Sequence, residues 1–371
     1  MDFTRAGALL GLAAFSAVGL TACSDDNTGS GEIVAHRVAD VECGGKPSLR
    51  ASGSTAQNNA MTVFANSYAV SCDGHTLDYN SNGSGAGVNE FTGGQTDFGG
   101  SDSPLKDADY AAAEQRCDSE AWNIPAVFGP IAVAYNLDGV DLTLSGPTIA
   151  KIFNGQIEKW DDPAIAAEND GVDLPDRDIT VIYRSDESGT TDNFLKYLEA
   201  ASEGAWTQGT GKTFTGGLGV GEGAKGNEGV SAAIEQTPGT VTYTEWSYAK
   251  NLGLDVVSII TPADAEGVTL DAETAGRTID SAVFSNEGSN DLVIDTSSFY
   301  VPSAAGAYPI ILPTYEIVCS RYGDAETARA VKAFLTVAVS AGVQEQLEGQ
   351  GYIPIPDGFR EKLNGAISAI S

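Results

Sequence analysis

The stretch VIYRSDESGTTDNFLKYLEA, residues 181–200, decides how the chain is read. It opens on β-branched and aromatic residues, which predicts a strand ending at Arg184. Two acids follow, and then Ser188, Gly189, Thr190 and Thr191 open an amphipathic run with the composition of a helix N-terminus. A strand feeding a helix through a glycine- and hydroxyl-rich turn is the repeating unit of an α/β fold. The same turn sets an arginine and a group of hydroxyls at the mouth of a helix, in a chain where cations are scarce.

Twenty Lys and Arg stand against 51 Asp and Glu, for a formal charge of −31 over 371 residues. That field repels nucleic acid and anionic lipid. Any anion bound here must be held by local hydrogen bonds against the global field. The chain's length is enough for one large domain or two lobes, and a hydrophobic content of 42% predicts a packed globular body.

Residues 1–22 carry Arg5, then a short apolar run, the pattern of a signal peptide rather than a membrane span. LTAC, residues 20–23, resembles a bacterial lipobox, which implies that Cys23 is lipidated and that 23–45 is a flexible tether. Cys43, Cys72, Cys117 and Cys319 remain, an even set that predicts two disulfides in an exported chain. Three pairings are open. Cys43 with Cys72 would staple a local unit, and Cys117 with Cys319 would tie a mid-chain loop to the C-terminal part. His36 and His75 lie in no zinc-ligand pattern, so neither a metal site nor another cofactor is expected.

Outward from 181–200, strands and helices alternate. SLRASG, HTLDYNSNG, TDFGGSDSPL and DITVIYR read as strands, WNIPAVFGPIAVAYNL as a pair of strands, and the intervening segments as helices. GNEGVSAAIEQTPGTVTYTEWSYAKN reads as helix, turn and strand, and the segment from Asp324 to Tyr352 as a C-terminal helical stretch. The expected architecture is α/β with largely parallel sheets. GTGKTFTGG invites a phosphate-loop reading, but Trp206 stands where that motif needs its first glycine.

Three turns share one chemistry: SGSTAQ at 52–57, NGSGAG at 82–87 and SGTT at 188–191. Each places Gly and Ser or Thr where a strand becomes a helix, whose free N–H groups and positive dipole end make an anion site without formal cations. Arg184 adds one planar, two-pronged charge, and Asp186 is placed to brace it. Asp102, in DFGGSD, is an acid beside an anion site. It makes sense if the anion carries its own proton, as phosphate does near neutral pH and sulfate does not.

ASGSTAQ, YNSNGSGAGVNEF with QTDFGGSDSPL, KIFNGQIEKWDDPAIAAEN, YRSDESGTTDNFLKYL and KGNEGVSAAIEQTPGTVTYTEWSYAK resemble, in order, the motifs of phosphate-binding lipoproteins of Pst-type ABC transporters. The resemblance implies a two-lobed periplasmic-binding-protein fold, Venus-flytrap and type II-like, with the ligand cleft between lobes. The lobes would be 46–134 plus 306–371, and 135–305, with chain crossings near Val133–Asn136 and Ser303–Tyr308. It also implies that Thr55 and the Ala56 N–H bind from the first helix with Ser54 in support. Ser84 would donate from the second helix, Asp102 would accept the phosphate proton, and Arg184, Ser188, Gly189 and Thr190 would close from the other lobe. Ala56 departs from the aromatic residue common at that place. The implied partners are inorganic phosphate, transmembrane permease subunits and, through Cys23, the outer face of the cell membrane. Competing readings are a receptor for another oxyanion such as sulfate or molybdate, and a serine-dependent phosphatase or esterase using Ser188. The second lacks a placed histidine and the flanking glycines of a nucleophile elbow.

Overall fold

A computed structural model describes residues 35–217, 219 and 221–371. The expected signal peptide, Cys23 and the first part of the tether lie outside the described residues. The strands run in chain order as β1 (Ser48–Gly53), β2 (Thr76–Ser81), β3 (Phe98–Ser101), β4 (Ala121–Tyr135), β5 (Thr143–Ser145), β6 (Thr180–Arg184), β7 (Gly221–Ala224), β8 (Thr240–Glu245), β9 (Asp255–Val256), β10 (Ser258–Thr261), β11 (Asp264–Val268), β12 (Val283–Phe284), β13 (Ile294–Asp295) and β14 (Ile311–Cys319).

Nine of them form one sheet, in the order β2-β1-β3-β14-β4-β8-β6-β7, with β9 beside β4. The outer pairs β1–β2, β1–β3, β6–β7 and β6–β8 are parallel. The centre is antiparallel, through β3–β14, β14–β4 and β4–β8. The expectation of largely parallel sheets therefore holds for the two flanks and fails in the middle.

That middle also corrects the reading of WNIPAVFGPIAVAYNL as two strands. It is one strand of 15 residues, every one buried. Its first part pairs with β14 as far as Pro130, and from Ile131 it pairs with β8. Pro130, which has no N–H to give, falls where the partner changes, so a residue that ordinarily interrupts a ladder is accommodated without a break. Buried on both faces, the strand shows no alternation that would reveal its length.

Helices cover the flanks. Helix Asn58–Ser71 carries Tyr68 against Phe334 of helix Ala325–Ala338, the rings edge-on at 5.6 Å, and Phe98 of β3 stacks on Phe334 at 5.2 Å. The stretch from Asp324 to Tyr352 is divided into Ala325–Ala338 and Ala341–Glu348, and a further helix, Asp357–Ala369, follows it. The segment after β8 also holds a helix, Trp246–Leu252, beyond the expected helix, turn and strand. Cys43 pairs with Cys72 and Cys117 with Cys319, at Cα separations of 5.4 and 5.5 Å. Arg116 lies over the Phe91 ring at 4.7 Å and donates to Cys319 Sγ, which packs the second bridge into the core.

Candidate functional site

The C-terminal ends of the parallel strands on both flanks aim at one place, the position where open α/β sheets bind ligands. From the first flank, β1 runs into Ser54–Ala56, β2 into helix Ser84–Thr92, and β3 into Asp102. From the second, β6 delivers Arg184 and then helix Gly189–Ala201, and β7 runs into helix Gly226–Gln236. Four helix N-termini thus converge.

Asp102 is the centre of the cluster. Ser54 Oγ donates to its Oδ1 in a short bond, and Thr314 Oγ1 donates to the same oxygen at 2.8 Å. Its Oδ2 lies 3.3 Å from Ser84 Oγ and 3.4 Å from Thr190 Oγ1. Burial pushes the Asp102 carboxyl up, against the Ser54 and Thr314 hydroxyls and the Arg184 charge, which favour its ionised form.

Arg184 is buried, and its Nε and Nη2 grip Asp186 at 2.8 and 2.5 Å while Nη1 points toward Thr190 Oγ1 at 3.5 Å. Asp186 Oδ1 also accepts from the Gly226 N–H at 3.1 Å. Its burial raises the carboxyl pKa, but the Arg184 bonds and charge, joined by Gly226, outweigh this and leave it low. Asp186 thus holds the guanidinium through two hydrogen bonds.

The remaining expected residues fall as follows. Thr55 Oγ1 accepts from Asn227, at 3.1 Å from the backbone N–H and 2.8 Å from Nδ2, so the two flanks are tied directly. The Ala56 N–H donates to Ser54 Oγ at 3.0 Å, and its carbonyl accepts from Tyr352 at 2.6 Å. Ser188 caps its helix by accepting from the Thr191 N–H at 3.1 Å. The Gly189 N–H donates to Ser84 Oγ at 3.1 Å. All these residues are buried and belong to one connected cluster.

Sequence reasoning passed over four residues of this cluster. Asn227 opens the fourth helix after a glycine, in KGNEG, with an amide doing what Ser or Thr does in the other three turns. That pattern was visible. Thr314 and Tyr243 sit in strands and reach the site only by pairing; Tyr243 accepts from the Arg184 N–H at 3.2 Å and shares a 2.7 Å bond with Thr191. Asn193 donates to the carbonyls of Asp102 and Gly189 at 2.7 and 2.9 Å.

In sum, a buried ring of hydroxyls, two amides and backbone N–H groups surrounds one guanidinium and two carboxylates. Counting Asp102, Arg184 and Asp186, the cluster carries one more negative charge than positive. Donors suit an oxyanion, and a carboxylate facing it demands that the oxyanion bring a proton.

The fold defines a binding protein of two halves with a cleft at the strand ends. Residues 27–341 match the family model described as a PBP superfamily domain. Over 374 residues covering all of both chains, the sequence is 56% identical to phosphate-binding protein PstS 3 of Mycobacterium leprae and 55% identical to phosphate-binding protein PstS 3 of Mycobacterium tuberculosis. A high-affinity periplasmic phosphate-binding protein, PfluDING, solved with phosphate, superposes with a TM-score of 0.71 at 20% identity, covering 86% of this chain and 93% of its own. The chain belongs to the PstS phosphate-binding protein family of the PBP superfamily.

Proposed function

We propose that this protein captures inorganic phosphate outside the cytoplasm and hands it to the transmembrane subunits of an ABC transporter. The observation that carries the reading is Asp102, a buried carboxylate ringed by Ser54, Ser84, Thr190 and Thr314 and set close enough to Arg184 to feel its charge. Hydrogen phosphate can donate its proton to Asp102 and accept from the hydroxyls, N–H groups and guanidinium. Sulfate has no proton to give, and would leave two acceptors facing each other, a mismatch that can discriminate analogues by roughly 10⁴–10⁵. The names of the full-length relatives support the same ligand.

Phosphate meets Thr55, Ala56, Ser84 and Asp102 on the lobe made of 46–134 and 306–371, with Ser54 in support. Arg184, Ser188, Gly189 and Thr190 close over it from the lobe 135–305, Asp186 holding the arginine. Closure is a hinge motion, with the change of β4 partners at Pro130 and Ile131 close to the proposed crossing at Val133–Asn136. The Ser54–Ala56 bond and the Ser84–Gly189 bond are the contacts that a bound oxyanion exchanges for its own. The chain performs capture without covalent chemistry and needs no cofactor. Ser188 Oγ accepts from the Thr191 N–H as a helix cap and keeps its own proton to give to the anion, while His75 meets the Asp73 carbonyl through Nδ1. Lipid on Cys23 holds the protein at the outer face of the cell membrane.

Calorimetric titration of the soluble form, lacking residues up to Cys23 and stripped of ligand, tests this reading. Tight one-to-one phosphate binding with sulfate silent is expected. Equal affinity for both anions would make the protein a general oxyanion receptor and remove the proton-reading role of Asp102.

A further inference from the structure

Glu316 is a buried acid outside the anion cluster, on the same strand as Thr314. It has no solvent contact, and neither carboxyl oxygen has a hydrogen-bond partner among the described residues. An ionised carboxylate so placed would cost several kcal/mol, whereas the neutral acid has one proton to donate and needs one acceptor. One such acceptor stands near. Gln57 Oε1 is also buried and also unpartnered.

The sheet register brings the two together. Glu316 pairs with Gly100 across β14 and β3, and opposed residues of an antiparallel pair point to the same face. A Cβ on Gly100 would run into the Gln57 amide nitrogen and the Tyr79 hydroxyl. Glycine at 100 therefore leaves room for Gln57 and Tyr79 on the face to which the register assigns Glu316. From there the donors run in one direction. Gln57 Nε2 donates to the Tyr79 oxygen at 3.0 Å, the Tyr79 hydroxyl donates to the Ser54 carbonyl at 2.8 Å, and Ser54 Oγ donates to Asp102.

We propose that Glu316 is a neutral positioning acid, donating its proton to Gln57 Oε1 and so holding the anion-binding turn Ser54–Ala56 through Tyr79. Ionised, Glu316 demands a donor, and the Gln57 amide must turn over to supply one. Its oxygen then faces Tyr79, whose hydroxyl is drawn off the Ser54 carbonyl. The same event adds a negative charge behind Asp102. Both effects weaken anion binding, so affinity falls on the alkaline side.

The surroundings agree. Burial raises the Glu316 carboxyl to about 8 and Asp102 adds to the shift, while a Gln57 N–H turned toward the carboxylate, the contact of the ionised state, would oppose it. The titratable groups that face this face of the sheet are Asp102 after β3 and Tyr79 on β2. Tyr79 is itself pushed up by burial first and by Glu316 next, with Asp102 and Tyr248 adding. On the β4 side the partner of Glu316 is Ile124, which carries no charge. Glu245, at the end of β8, is raised by burial and further by Asp102, its carboxylate engaged by Ser247. The cation acting on Asp102 is Arg184, which is committed to Asp186.

The proposal rests on the phosphate reading, and its test separates the two. Phosphate affinity is measured for the wild type and Glu316→Gln from pH 6 to pH 10. The ligand's own titration is common to both and cancels in their ratio. Glutamine stays neutral and can still donate to Gln57 Oε1, so equal affinities are expected at pH 6. By pH 9.5 the wild type should bind roughly thirtyfold more weakly than the variant, since a group that must be protonated to bind costs about one decade per pH unit above its pKa. A ratio independent of pH, or a variant weakened at every pH, would overturn the proposal. Absence of phosphate binding by the wild type would instead sink the functional reading. Two further measurements judge Glu316 even then. A carboxyl carbon titrating near 8 in the isotopically labelled wild type and missing from Glu316→Gln supports the neutral acid. The thermal midpoint of Glu316→Gln should gain on the wild type as pH rises from 5 to 8. If no carboxyl titrates near 8 and the difference in midpoint is flat with pH, Glu316 is not the neutral acid proposed.

Discussion

The backbone N–H of Gly189 donates to the hydroxyl of Ser84 at 3.1 Å, joining the mouth of one helix to the first residue of another across the cleft. The same hydroxyl accepts from the Asp102 N–H at 3.2 Å. One small side chain therefore touches both flanks of the sheet and the acid at the centre.

That contact leaves no space for a side chain at 189. A Cβ there would stand 2.6 Å from both Asp102 Cβ and Ser84 Oγ, and 2.9 Å from the Asp102 nitrogen. Gly189→Ala should hold the lobes apart, at an overpacking cost of about 1–3 kcal/mol. Calorimetry should show phosphate affinity lowered roughly five- to hundredfold, with the far-ultraviolet spectrum unchanged. Undiminished affinity would show that closure does not bring these atoms together.

Asp102→Asn keeps the shape and removes the acceptor proposed for the phosphate proton. Phosphate affinity should fall by at least roughly tenfold while sulfate affinity rises, because the amide can donate to a fully ionised oxygen where the carboxylate could not. Competition titrations read both changes in one series. A parallel loss for both anions would assign Asp102 to packing alone.

Arg184→Lys preserves charge and loses the planar fork that spans Asp186 through Nε and Nη2. A lysine cannot serve Asp186 and an oxyanion with the same fixed geometry. Since hydrogen bonds to charged groups contribute about 1.5–3 kcal/mol, phosphate binding should weaken about ten- to hundredfold. If affinity is retained, charge rather than geometry holds the anion.

The two disulfides should differ in weight. Cys117–Cys319 spans 202 positions and Cys43–Cys72 only 29. In the chain-entropy account longer closures stabilise more, within a typical range of about 2–5 kcal/mol. Denaturant titration of the two double-serine variants should find Cys117→Ser with Cys319→Ser the less stable, and phosphate affinity near that of the wild type in both. The reverse order would point to residual structure in the unfolded chain around Cys117.

Acid stability follows from Asp186 and Asp192. Both carboxyls are low in the folded protein despite burial, the first through Arg184, the second through Lys196 and Ser103. A group with a depressed folded pKa stabilises fully above its unfolded value, about 3.9 for Asp, and that contribution disappears as pH falls through the folded value. Melting curves should therefore decline below pH 4. Asp192→Asn should flatten that decline and lower stability at pH 7, since it leaves Lys196 without its partner at 2.8 Å. An unaltered acid limb in Asp192→Asn would place the sensitivity in other groups.

Three of the four helix mouths were legible because their information is local. A strand pattern, a glycine and a hydroxyl in sequence are sufficient to predict SGSTAQ, NGSGAG and SGTT, and Arg184 lies four residues before the last of them, while Asp102 ends its own short strand signal in DFGGSD. The fourth mouth, at Gly226 and Asn227, carried the same signal with an amide in place of a hydroxyl. Thr314 could not be found this way. It meets Asp102 because β14 returns from more than 200 residues downstream to lie between β3 and β4, and no local pattern records which strands become neighbours.

The sequence by itself determined the alternation of strands and helices and the glycine- and hydroxyl-rich turns at three helix mouths, since each follows from residues adjacent in the chain. The tertiary structure decided the antiparallel centre of the sheet and the single strand β4 shared by both halves. It also decided which acids lose contact with water. Glu316 and Asp186 are the same chemistry in the sequence. Folding gives Asp186 an arginine and leaves Glu316 without a counter-charge, and burial then separates a carboxylate from a neutral acid.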